Sequence, residues 1–91
     1  MKKAVRLYLT GTTQSMFFRL FIKQNVEKFN VNGFFRKLND GRAEVFLEGE
    51  SKDVDSAVEV CKKGPKYAQI RNFEIKEEHL QGFKDFRIIN F

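Results

Sequence analysis

Asp40-Gly41 limits how this chain can fold more than any other pair of residues in it. Val31 to Leu38 reads as a strand before it, and Arg42 to Gly49 as the returning strand after it. An Asp-Gly pair supplies the positive φ that a tight hairpin needs. On each side of this hairpin the hydrophobic period changes. Upstream, Phe18, Ile22, Val26 and Phe29 form one helical stripe, preceded by Val5, Leu7 and Leu9 in strand alternation. Downstream, Val54, Ala57, Val58 and Cys61 form a second stripe, closed by Lys62, Lys63 and Gly64 and stopped by Pro65. Ile70, Phe73 and Ile75 then suggest a fourth strand; Gly82 breaks the chain, and Phe86 to Asn90 suggests either the last strand or an extra one.

The order β-α-β-β-α-β is that of a split βαβ unit. We therefore expect an α+β, ferredoxin-like sandwich: an antiparallel sheet of four to five strands with two helices on one face. The other face of the sheet is expected to stay open to water. The 91 residues suit a single domain spanning 1–91, and a hydrophobic content of 42% suffices for one core.

Charge narrows the partners. With 17 Lys+Arg against 12 Asp+Glu the net charge is +5, which favours phosphates, nucleotides or nucleic acid over cationic ligands. The basic residues are scattered and form no tail. Cys61 is the only cysteine, so no internal disulfide forms, and a reducing, cytoplasmic setting fits. It reads as a small core residue on the second stripe. No apolar run is long enough for a membrane span. The opening MKKAVRLYLTG alternates like a strand rather than holding the apolar stretch of a signal peptide. His79 stands without His, Cys or Asp partners, so a surface position is expected and no metal site or cofactor is implied. Glu44, Glu48 and Glu50 alternate like a solvated strand face, or pair with Arg36 or Arg42 across the hairpin.

Residues 11–19, GTTQSMFFR, place a turn and then an arginine where the first helix begins. Unpaired N–H groups at such a junction attract anions. Arg19, in the first turn, carries a fork that fits two phosphate oxygens. The plainer reading of Arg19 is a surface arginine beside the apolar stripe. Ser15 is placed to cap the helix.

Two segments make the chain resemble the acylphosphatase family. The family's first signature has the form G-x-V-Q-G-V-x-F-R, and GTTQSMFFR keeps Gly11, Gln14, Phe18 and Arg19. The second has the form G-W-V-R-N-x-x-D-G, and GFFRKLNDG at residues 33–41 keeps Gly33, Arg36, Asp40 and Gly41. GPKYA at 64–68 and FKDFRI at 83–88 add to the likeness, which covers nearly the whole chain. The resemblance implies metal-independent hydrolysis of the carboxyl–phosphate bond of small acyl phosphates, with no cofactor. It implies a phosphate-binding loop of Gln14, Ser15, Met16, Phe17, Phe18 and Arg19. It also implies an asparagine in the second signature that orients the attacking water.

Here the chain departs from the pattern. Lys37 stands at the asparagine's position, and an ammonium donates three hydrogen bonds but accepts none. It adds a cation where the family has a water acceptor, so tighter phosphate binding and weaker or lost turnover are expected. Asn39 lies two residues on and shares the strand parity of Lys37 if the strand extends that far. Ser15 replaces a glycine and either strains the loop or lends its hydroxyl to the anion. Thr12 and Thr13 offer further hydroxyls. Acyl phosphate or inorganic phosphate is the expected partner, and a monomer the expected state. The alternative is a non-catalytic phosphate- or RNA-binding module. For RNA, Tyr8, Phe34 and Phe46 interleave with Arg6 and Arg36 on the sheet face away from the helices. The plainer reading is that these rings cover one another or meet a second copy.

Overall fold

The computed structural model describes residues 1–11 and 16–89, with only the backbone of Met16. The elements are β1 (Lys2–Gly11), α1 (Met16–Glu27), β2 (Asn32–Lys37), β3 (Ala43–Glu50), α2 (Ser51–Lys63), β4 (Ile70–Glu78) and β5 (Phe86–Ile89). The hairpin forms where Asp-Gly requires it. Gly41 has φ +92°, its N–H donates to the Leu38 carbonyl at 3.0 Å, and Leu38 N–H donates to Arg42 at 2.8 Å. Asp40 completes the turn by accepting the Arg42 backbone N–H at 3.0 Å.

Both helices bury the stripes read from the sequence. Phe18, Ile22 and Val26 are buried on α1, and Val54, Ala57, Val58 and Cys61 on α2. α1 ends at Glu27, ahead of the expected Phe29, because Asn30 turns the chain at φ +57°. Phe29 still packs against the core from the turn. Gly64 closes α2 at a positive φ of +66°, donating its N–H to the Val60 carbonyl at 2.9 Å. Burial pushes the Cys61 thiol up to about 12, as a core cysteine with no cationic neighbour requires.

The sheet order is β4-β1-β3-β2-β5. β5 is a fifth strand, and it runs parallel to β2, so the sheet is mixed rather than antiparallel throughout. The helix-facing core joins Val5, Leu7 and Leu9 to Phe35, Val45 and Leu47 and to both helical stripes.

The opposite face is less open than expected. Ala4, Phe34 and Phe46 form a second small core there, covered by Phe83 and Ile89. Phe34 and Phe46 stack with centroids 5.8 Å apart, and the Phe83 ring lies 5.6 and 5.5 Å from them. Glu44 and Glu48 are correspondingly buried rather than solvated, at 3% and 7% exposure. Glu44 pairs with Arg6 at 2.6 Å and with Arg36, its register partner on β2. Glu48 accepts the N–H groups of Gln81, Gly82 and Phe83 at 3.1–3.2 Å, which fastens that segment across the sheet.

Candidate active site

Two strand ends and one helix start meet at a single end of the molecule. β1 and β2 both pair antiparallel with β3, so they point the same way and finish at the same side. Leu9 on β1, Ala43 on β3 and Lys37 on β2 form one cross-strand row. Residues directly opposite in a ladder share a face. Leu9 and Ala43 are buried under the helices, so Lys37 emerges on the helix side too, one row beyond Phe35. Its side chain is exposed.

α1 begins at the same end. Phe18 is buried and its ring lies 6.0 Å from that of Phe35. This contact sets the first turn of α1 beside the second half of β2, since both rings are buried in the core. Arg19 follows Phe18 and is half-buried; Lys37 lies two residues past Phe35. Both residues therefore sit at the end of the molecule where α1 begins. The first turn of the helix carries no acidic residue to neutralise them. The positive end of the helix dipole adds to the same field.

The remaining site residues fall as follows. Gln14 and Ser15 of the expected loop, with Thr12 and Thr13, lie outside the described residues. Met16 is the first residue of α1. Phe17 is 73% exposed, pointing away from the core that holds Phe18. Asn39 is not on a strand: β2 stops at Lys37, and Asn39 is exposed within the turn, so strand parity does not set its direction. An open depression beside the hairpin is lined by Arg36, Lys37, Leu38 and Asn39. On its rim the Asp40 carboxyl is held below its ordinary range by the backbone N–H of Arg42 and then by the Arg42 side chain. His79 is exposed.

Three signature residues have structural work. Arg36 points to the other face, where it pairs with Glu44 and lies 6.0 Å from the Phe34 ring. Gly33 has φ +147°, and a Cβ there would stand 1.8 Å from the Phe46 carbonyl oxygen. Gly11 has φ +142°, and a Cβ there would meet the Gln69 carbonyl oxygen at 2.0 Å. Both glycines let neighbouring backbone approach beside the strands that carry the site. Neither role is visible in a one-dimensional pattern, where a glycine before a polar stretch reads as a loop residue.

Strands, helices and cationic rim define a two-layer α+β sandwich with one basic end. Comparison with known proteins specifies it further. The acylphosphatase family profile matches residues 5–88, and the chain belongs to the acylphosphatase family. An acylphosphatase of Syntrophus aciditrophicus is 38% identical over 90 residues, covering 98% of this chain and 94% of that protein. One of Rubrobacter xylanophilus is 40% identical over 80 residues, covering 88% and 73%. The crystal structure of acylphosphatase from Bacillus subtilis superposes with a TM-score of 0.89 at 28% identity, covering 98% of this chain and 99% of that one. No helix among the described residues is long and apolar enough to cross a membrane.

Proposed function

We propose that this chain hydrolyses the carboxyl–phosphate bond of small acyl phosphates slowly, holding the phosphoryl group at the start of α1 between Arg19 and Lys37. The reading rests on the strand row that brings Lys37 to the helix side, at the end where the Phe18–Phe35 contact fixes the first turn of α1. Water attacks phosphorus, the bond to the carboxylate oxygen breaks, and carboxylate and inorganic phosphate leave. Such transfers are accelerated mainly by positioning and by stabilising charge on the phosphoryl oxygens. Arg19 offers two parallel N–H donors for that charge. Lys37 contributes a second positive charge but no acceptor for the water proton, so it favours bound phosphate over turnover.

Hydrolysis of benzoyl phosphate by the parent chain, Arg19→Ala and Lys37→Asn tests this. We expect slow catalysis by the parent chain, loss in Arg19→Ala, and a gain of roughly 10²-fold in kcat for Lys37→Asn, the usual worth of one positioned polar group. Phosphate should raise the parent's Tm more than that of either variant. A parent chain at the spontaneous rate, still stabilised by phosphate and activated by Lys37→Asn, would identify a phosphate-binding relative instead. Three inert proteins whose Tm ignores phosphate would reject both readings.

A further inference from the structure

The sheet has two edges, and they differ. β5 is a four-residue edge, whereas β4 is a nine-residue edge paired only with β1. Long unpaired edges recruit further strands, and proteins usually blunt them with proline, bulges or charge. β4 has no proline, but Arg71, Glu74, Lys76, Glu77 and Glu78 put charge of both signs along it, and its register with β1 shifts at its start, near Gly11 and Ile70. Residues 71–77 are all exposed. Two of them are large and apolar. Phe73 and Ile75 stand opposite Leu9 and Leu7, yet remain 37% and 48% exposed. The Lys62 ammonium of α2 lies 4.6 Å from the Phe73 ring.

We propose that β4 is a self-association edge, pairing antiparallel with β4 of a second copy about a two-fold axis at Glu74. The sequence of the strand carries the register. Arg71, Phe73, Ile75 and Glu77 alternate along it. Centred on Glu74, this stripe is complementary to its own reverse: Arg71 meets Glu77 of the second copy, and Phe73 meets Ile75. Each contact occurs twice by symmetry. Opposite charges and an aromatic opposite a β-branched residue are favourable cross-strand pairs. On the other face Glu74 meets its own copy, with Lys76 of each copy on the diagonal to compensate. β1 and β3 separate β4 from β2, so this pairing leaves the Lys37 end uncovered.

Sedimentation velocity from roughly 1 μM to roughly 1 mM, the span of weak association, tests the proposal. The chain should convert from monomer to dimer within it. Arg71→Glu or Glu77→Arg alone places like charges opposite at two sites and should weaken the dimer about tenfold or more. The two together restore opposite charges and should restore the dimer. Glu74→Cys, opposite its own copy, should cross-link under mild oxidation while Asn72→Cys does not. Far-UV circular dichroism verifies folding of each variant. A monomer throughout the range, or a dimer indifferent to the charge swaps, would overturn the proposal. So would cross-linking through Asn72→Cys but not Glu74→Cys.

Discussion

Replacing Glu48 with alanine removes the acceptor that fastens the segment leading to β5. Its carboxylate receives three backbone N–H groups, from Gln81 and Gly82 on one oxygen and Phe83 on the other. A hydrogen bond to a charged group contributes about 1.5–3 kcal/mol, and an orphaned buried donor costs about 1–3 kcal/mol. The three do not sum, because Gln81 and Gly82 are exposed and their N–H groups rehydrate when the segment lifts. Phe83 is half-buried, and its ring covers Phe34 and Phe46, so its displacement also uncovers apolar surface. The segment retains two other ties, from Asn32 Nδ2 to the Phe83 carbonyl at 2.9 Å and from Gly33 N–H to the Asp85 carbonyl at 2.9 Å. A net loss of about 2–4 kcal/mol follows. For a domain of this size that lowers Tm by roughly 10–25 °C. Urea unfolding followed by far-UV circular dichroism measures it, and amide exchange at residues 81–83 should quicken in the same variant. Glu48→Gln keeps one acceptor but sets an amide donor against a backbone donor, so it should fall between. Exposed Glu50, changed to alanine, serves as the control and should stay within about 0.5 kcal/mol of the parent. A Glu48→Ala protein as stable as that control would refute the reasoning.

Gly33→Ala should cost more than about 3 kcal/mol or abolish folding, since Cβ and the Phe46 carbonyl oxygen cannot share the space and φ is +147°. Its equilibrium unfolding, or absence of a cooperative transition, decides. Cys61 predicts an alkaline effect. Its folded pKa is pushed from 9.0 up to about 12, so above pH 9 the unfolded chain loses the thiol proton while the folded chain keeps it. The unfolded state then binds fewer protons, and stability falls as pH rises, by about 1.4 kcal/mol per pH unit until the folded thiol titrates. The stability difference between the parent and Cys61→Ala should shrink with that slope from pH 9 upward. A difference that stays constant would place the thiol in contact with water.

Much of the fold was legible because it rests on local periodicity. Phe18, Ile22 and Val26 could share one face only on a helix, and Asp40-Gly41 could join its flanking runs only as a hairpin. Strand parity puts Lys37 on the side of Phe35, two residues earlier, once β2 is seen to run through Lys37. The direction of β5 was not legible: four residues of strand-forming character carry no mark of whether their neighbour runs parallel. The burial of Glu44 and Glu48 was not legible either. Alternation put them on the face of Arg6 and Arg36, but Glu44 is buried between those two arginines and Glu48 is bonded by a segment more than thirty residues away in sequence. Asn39 failed as a strand residue because Leu38 already belongs to the turn.

The sequence by itself determined where strands and helices alternate, which faces are apolar, and that position 37 is a lysine. These properties are set by side-chain chemistry and by the periods of strand and helix. Only the tertiary structure decided that Arg19 and Lys37 come to one end of the molecule and that Arg36 turns away to meet Glu44. It also decided that β4 is left with an uncovered edge. Those outcomes depend on which strands pair and in what register, and pairing joins residues that the chain order keeps apart.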